Sequence, residues 1–152
     1  MFLPELLIGA GLICLTIVIH AVVLDRAIGF SERFGRFCYR HFRQYWRIPL
    51  LTSVVLLIFC SHVLHIWIWA LFYLSVGALD NLELALYFST TCYTTLGLGD
   101  IVLDEDWRLI SSFEAANGII MFGWSAAFIF EIISQLYKDE HIQKRIRQHE
   151  KP

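Results

Sequence analysis

Three long apolar runs dominate the chain. Leu6 to Leu24 holds 19 residues, and as a helix it would extend roughly 28 Å, just enough to cross a hydrocarbon core of about 30 Å. Ile48 to Leu79 carries no formal charge, and Leu109 to Tyr137 is interrupted only by Glu114 and Glu131. We expect each run to form a transmembrane helix. The segment before the first run is acidic and has no Lys or Arg, so we interpret this run as a retained span rather than a cleaved signal peptide.

The basic residues indicate which side of the membrane each segment faces. Eleven of the 12 Lys and Arg residues fall between the first two runs or after the third, and only Arg108 lies elsewhere. Because cytoplasmic loops carry the excess of Lys and Arg, both clusters are expected in the cytoplasm, with the N-terminus outside. The segment from Leu82 to Leu103 must then enter and leave the membrane on the same face, since a full crossing would place the two basic clusters on opposite sides of the membrane.

Leu82 to Thr95 is therefore expected to be a short re-entrant helix. Asp80 and Asn81 are favourable N-cap residues, and Glu83 suits the first helical turn. The alternative is an amphipathic surface helix, but the segment is too apolar for that. Irregular backbone after such a helix survives at membrane depth only where protein or water covers it.

The composition supports a membrane protein. The chain of 152 residues is 57% hydrophobic and 17% charged, with a mean hydropathy of +0.59, whereas soluble domains average about 45–50% apolar and about 25% charged residues. The four cysteines are scattered without a C-x-x-C pair, which argues against a disulfide framework or a zinc site. No nucleophile has an evident base partner, so we expect no enzyme, and nothing indicates a nucleic-acid partner.

Thr94 to Asp100 reads T-T-L-G-L-G-D, and glycine adopts dihedral angles that other residues avoid. Alone, such a stretch is also compatible with a glycine-containing surface turn. Placed between a short helix and an apolar span, it resembles the T-V-G-Y-G-D selectivity filter of potassium channels, with Leu96 for Val and Leu98 for Tyr. From Ile48 to Tyr137 the order of elements is similar to that of pore-domain channels with two spans and a pore loop, and the extra first span is similar to a small bacterial subgroup.

The resemblance implies an all-α membrane protein with three transmembrane helices, a re-entrant pore helix and a filter loop, assembled as a homotetramer in the plasma (inner) membrane. It implies passive conduction of K⁺ or another monovalent cation and no other cofactor. The expected division is an N-terminal transmembrane helix at 1–25, a basic amphipathic helix at 26–47, a pore domain at 48–137 and a short cytoplasmic tail at 138–152. Within the pore domain, the outer helix is expected at 48–79, the pore helix at 82–95, the filter at 95–100 and the inner helix at 107–137.

The resemblance also assigns roles to single residues. The ions would bind the backbone carbonyls of the filter, together with the Thr95 hydroxyl, and Asp100 would lie at the pore mouth. Leu98 cannot form the hydrogen bond by which the family's Tyr braces the filter, so weak selectivity and a non-conducting relative remain alternatives. The filter positions are Thr95, Leu96, Gly97, Leu98 and Gly99; the supporting positions are Thr91, Tyr93, Thr94 and Glu114; the cavity and hinge positions are Asn117, Gly118 and Gly123.

Glu114 is a carboxyl group inside a predicted span, and such groups are functional candidates. We expect it near the depth of the filter, where it could accept hydrogen bonds from Thr91 or Tyr93 and support the loop. The alternative is a protonated, merely packed side chain. Asn117, next to the hinge position, is expected to face a water-filled cavity.

A basic amphipathic pattern follows the first run. Its apolar residues lie between arginines at helical spacing, which predicts a helix in the cytoplasmic interface that contacts anionic lipid. An arginine-rich voltage sensor is the alternative, but the segment is too polar to span the membrane. The arginines are Arg33, Arg36, Arg40, Arg43 and Arg47.

Three histidines lie in the predicted spans. His62 and His65 are spaced i, i+3 and share a helix face, which makes a membrane haem or copper protein a further hypothesis. His20 lies four residues from the expected cytoplasmic end of its span, whereas His62 and His65 lie much deeper. We therefore expect no joint site, and we interpret all three as hydrogen-bonded packing residues.

Overall fold

The structure, a computed structural model, describes residues 2–42 and 45–149. Within these residues it contains four helices: α1 (Phe2–Phe42), α2 (Arg47–Ser75), α3 (Leu82–Tyr93) and α4 (Arg108–His149). In this part of the chain three stretches are long and apolar enough to cross a membrane, Leu3–Phe42, Arg47–Ser75 and Arg108–Lys138. The predicted all-α membrane architecture, with a short helix between the second and third spans, is confirmed.

The first helix is longer than expected. It runs for 41 residues without a break, a length of about 61 Å, so the predicted boundary at residue 25 is absent. The predicted interfacial helix is instead the C-terminal half of α1. The segment contains no proline, and its buried positions, including Ala27 and Cys38, continue the packed face of the first half. A methyl group added at Gly35 would contact Leu50 of α2 at 3.6 Å.

The outer helix α2 ends at Ser75, four residues before the predicted end. The termination is local: Gly77 has a φ of 68°, the left-handed conformation that commonly ends helices. A short turn then leads to Asn81, whose Oδ1 accepts a hydrogen bond from the Leu84 N–H at 2.8 Å. The predicted N-cap of α3 is thereby confirmed.

Two apolar clusters hold the helices together. The first surrounds α3 and includes Trp69 and Tyr73 of α2, Phe88 of α3 and Met121 of α4. The second joins the C-terminal half of α1 to the start of α2 and the middle of α4. The short helix α3 is thus packed between α2 and α4, and this packing positions the loop that follows it.

Candidate functional site

The loop after α3 has an unusual backbone. The φ angles of Thr95, Gly97 and Gly99 are 59°, 51° and 76°. Thr95 is the only non-glycine residue with a positive φ among the residues that the structure describes. A β-branched residue in this conformation is an outlier, and such backbone strain, of order 1–3 kcal/mol, is found at functional sites.

The signs of φ alternate along the loop, because Leu96 and Leu98 have negative values. In a β-strand successive carbonyls point to opposite sides, whereas alternation between right- and left-handed conformations can turn them to the same side. The loop is anchored to α3 at its start by a bond from Thr95 N to Cys92 O (2.9 Å) and at its middle by a bond from Gly97 N to Thr91 O (3.1 Å). This backbone can present a row of carbonyl oxygens, and its residues are exposed in the single chain.

A pocket of about 170 Å³ lies beside the loop, and its lining includes Gly97, Leu98 and Gly99 together with Phe88 and Arg108. No side chain of the same subunit therefore fills the space next to the loop here. The position of the carbonyls depends instead on the bond from Gly97 N to Thr91 O and on how the two ends of the loop are held.

The outer end of the loop is held by Asp100. The hydroxyl of Tyr87 on α3 donates a hydrogen bond to Asp100 Oδ2 at 2.7 Å. This bond raises the pKa of Tyr87, because the neutral phenol is the donor. Asp104, Glu105 and Asp106 follow as exposed carboxylates, so the residues after the loop carry several negative charges.

Thr91 in α3 and Thr94 directly after it donate their hydroxyls to carbonyls of α3. The Thr91 hydroxyl donates to Phe88 O at 2.9 Å, and the Thr94 hydroxyl donates to Thr90 O at 2.7 Å. The predicted hydrogen bond from Thr91 to Glu114 is therefore absent, because the Thr91 hydroxyl is already used.

Glu114 is fully buried and contacts α3 through a different residue. Its Oε1 lies 2.5 Å from the Ser89 hydroxyl, and its Oε2 accepts a hydrogen bond from Tyr73 at 2.7 Å. Ser89 also lies 2.9 Å from the carbonyl oxygen of Ile66 on α2. The predicted contact between Glu114 and the short helix α3 exists, but the predicted partners were wrong, because Ser89 rather than Thr91 or Tyr93 faces α4 at this level.

Tyr93, the last residue of α3, is held by two histidines. Its hydroxyl lies 3.0 Å from His62 Nδ1 and 2.9 Å from His65 Nδ1. Tyr93 is fully buried and comes two residues before Thr95. The pair of histidines on α2 thus fixes the start of the loop.

His20 joins this pair, contrary to the prediction. Its ring centre lies 5.3 Å from that of His62 and 5.4 Å from that of His65. His20 Nδ1 is 3.1 Å from Ser61 Oγ, and Ser125 Oγ lies 3.1 Å from His20 Nε2 and 3.0 Å from His62 Nε2. The predicted difference in membrane depth between His20 and the other two histidines was wrong. The reason is that α1 continues past residue 24 to Phe42, which shifts α1 along α2 and brings His20 to the level of His62 and His65.

Sequence reasoning missed His20, Ser61, Ser89 and Ser125 as members of these networks. A signal was present for His20, because Thr16 and His20 are spaced i, i+4 in an otherwise apolar run, which predicts a polar helix–helix contact. In the described part of the chain, no group of three or more His, Cys, Asp and Glu side chains is arranged to hold a metal ion.

Asn117 does not face a cavity in the subunit. It is fully buried, and its Nδ2 donates to Thr16 Oγ1 of α1 at 2.9 Å. The prediction was wrong because α1 covers this face of α4. Gly118 lies against the end of α3, where an added methyl group would be 1.9 Å from Tyr93 O. Gly123 has no neighbour within 4 Å of such a group.

The arginines of the C-terminal half of α1, Arg33, Arg36 and Arg40, are exposed. Arg43 lies outside the described residues. Arg47 begins α2, and its guanidinium carbon lies 5.0 Å from the centre of the Tyr137 ring, within the range of a cation–π interaction.

One family model matches the chain. It is described as an ion channel and covers residues 51–135, more than half of the sequence. No curated protein and no solved structure matches. The matched region begins within α2, contains α3 and the loop, and ends within α4.

Proposed function

The chain belongs to the pore-domain ion-channel family, and we propose that it is the subunit of a homotetrameric channel that conducts K⁺ through the loop at Thr95 to Gly99. The alternating φ angles of this loop carry the proposal. They occur on the T-L-G-L-G-D sequence, at the end of a short helix packed between two membrane spans.

The proposed mechanism is passive diffusion. Carbonyl oxygens replace the hydration shell of a cation, and a complete ring needs the loops of four subunits. The C-terminal end of α3 points its carbonyl dipoles toward the start of the loop, which favours a cation there. Asp100 and the carboxylates after it raise the local cation concentration at the mouth.

A weakly selective pore is the second candidate, and two observations favour it. Leu98 has no hydroxyl with which to brace the loop, and the space beside the loop is an open pocket. Support comes instead from the bond of Gly97 N to Thr91 O and from the ends of the loop, where Tyr93 contacts its histidines and Asp100 accepts a hydrogen bond from Tyr87.

The proposed setting is the plasma (inner) membrane, with the N-terminus outside and the C-terminus in the cytoplasm. The segregation of basic residues supports this topology. The exposed Arg33, Arg36 and Arg40 are suited to contact anionic lipid headgroups at the cytoplasmic face.

The test is ion flux into liposomes that contain the purified protein, with the reversal potential measured under opposed K⁺ and Na⁺ gradients. Gly97→Ala places a side chain at a φ of 51°, at a cost of about 1–2 kcal/mol per subunit, and should abolish or sharply reduce K⁺ flux. Gly77→Ala is the matched control, because Gly77 has a φ of 68° but lies in the turn after α2.

We expect K⁺-selective flux in the wild type and in Gly77→Ala only. A reversal potential near zero would favour the weakly selective pore. Absence of flux from correctly assembled wild-type protein, or unchanged flux in Gly97→Ala, would contradict the proposal.

A further inference from the structure

Six side chains form one continuous hydrogen-bonded chain that involves all four helices. None of the six is more than 6% exposed. The ring of Trp124 packs on His20 with ring centres 5.5 Å apart, and the ring of Phe122 packs on His62 with ring centres 4.5 Å apart. In order, the members are His65, Tyr93, His62, Ser125, His20 and Ser61, and we term them the histidine chain.

The protons of this chain can be counted. A neutral imidazole has one N–H and one bare nitrogen, and a hydroxyl has one O–H and can accept. All five bonds can therefore run in the same direction, either toward Ser61 or toward His65. In both cases every shared contact has one donor and one acceptor, and His65 Nε2 takes part in none of them.

His65 Nε2 is the unfilled position. It is buried and has no hydrogen-bond partner among the described residues. When the bonds run toward Ser61, this nitrogen is bare. A proton from the aqueous phase can add there and form an N–H bond, while Nδ1–H still donates to Tyr93 and all other bonds persist. The chain can therefore accept one proton without losing a hydrogen bond.

We propose that the histidine chain is a proton-binding site that regulates the pore, and that binding of one proton reduces cation flux. The inference rests on the proposed channel function. Protonated His65 lies one hydrogen bond from Tyr93, the residue that precedes Thr94 and Thr95. Its positive charge repels cations in the loop, and at an effective dielectric constant of about 20 a unit charge on the order of 12 Å away changes ion occupancy by roughly tenfold.

Few other titratable groups of the described residues face the chain. On α4, Glu114 acts electrostatically on Tyr93 and on its neighbour Cys92. On α2, Tyr73 is bonded to Glu114. The titratable member from α1 is His20 itself. A pH response of the flux could therefore arise from Glu114 instead of the histidine chain. The Glu114→Gln variant distinguishes the two origins, because its side chain cannot titrate.

The experiment measures K⁺ flux of the full-length protein in liposomes from about pH 8 to about pH 4, a range that covers most histidine pKa values in proteins. The variants are His65→Gln and His62→Gln, which keep a donor and an acceptor but cannot become cationic. His41→Gln is the matched control, because His41 lies on the exposed side of α1. All of these proteins carry the same surface carboxylates.

We expect wild type and His41→Gln to lose roughly tenfold in flux on acidification, and His65→Gln to lose much less. An equal loss in all variants, or a loss removed only by Glu114→Gln, overturns the proposal. No flux at any pH instead refutes the channel function on which it rests.

A second measurement uses the wild-type chain and does not depend on the folding of variants. The protein is labelled with ¹⁵N-histidine, and imidazole signals are recorded in bilayers across the same pH range. We expect a buried histidine to become an imidazolium where flux falls. If only the signals of histidines outside the histidine chain titrate, the histidine chain is not the site.

Discussion

The contact between Gly118 and Tyr93 gives a sharp prediction about how α4 positions the loop at Thr95 to Gly99. In Gly118→Ala the new methyl group would lie 1.9 Å from Tyr93 O and 2.9 Å from Tyr93 C. Real contacts of this kind are essentially never shorter than 3.0 Å. The backbone oxygen and α4 must therefore separate by about 1.1 Å, the difference between 3.0 and 1.9 Å.

This displacement cannot be absorbed locally. The obstacle is backbone rather than the end of a flexible side chain, and packed interiors transmit such shifts. Overpacking costs typically about 1–3 kcal/mol, and the strain falls two residues before Thr95. We expect Gly118→Ala to lower thermal stability and K⁺ flux together.

The matched control is Gly123→Ala on the same helix, where an added methyl group has no neighbour within 4 Å. It should keep flux and gain up to about 1 kcal/mol from higher helix propensity. If Gly118 acted only as a hinge, Gly118→Ala would also gain stability while changing channel opening. Wild-type stability and flux in Gly118→Ala would refute the packing argument.

Three further predictions concern the ends of α3 and the loop. Glu114→Ala leaves the Ser89 hydroxyl without its carboxyl partner, so it should reduce stability by about 1–3 kcal/mol and weaken selectivity. Glu114→Gln should keep most of the stability and the selectivity. Equal losses in the two variants, measured by unfolding and by reversal potential, would contradict this. Asn81→Ala removes the N-cap of α3 and should cost about 1 kcal/mol, measured by thermal unfolding, while Asn81→Asp should cost little. Asp100→Asn should lower K⁺ conductance at low salt but not at high salt, because salt screens exposed charges, and Tyr87→Phe should shift conductance in the same direction by less; a salt-independent loss would argue against an electrostatic role.

The element order and the position of the loop could be predicted from the sequence, because both depend on local signals. Apolar runs of membrane length with few charged residues identify the spans, and Asn81 marks the start of α3. The distribution of Lys and Arg predicts that Leu82 to Leu103 returns to the face it entered from.

The network contacts could not be predicted, because they depend on how helices are shifted and rotated against one another. Whether α1 ends near residue 25 or at Phe42 decides whether His20 meets His62, and no proline or strong break marked either position. The partner of Glu114 depends on the rotation of α3, which presents Ser89 instead of Thr91. Such relationships arise from tertiary packing and leave little trace in local sequence.

The most direct test of the account is to locate Rb⁺ by anomalous scattering in crystals of the full-length protein. We predict Rb⁺ on a four-fold axis, between carbonyl oxygens of Thr95 to Gly99 from four subunits. Loops that face lipid or solvent away from any shared axis, or an axis without Rb⁺, would contradict it.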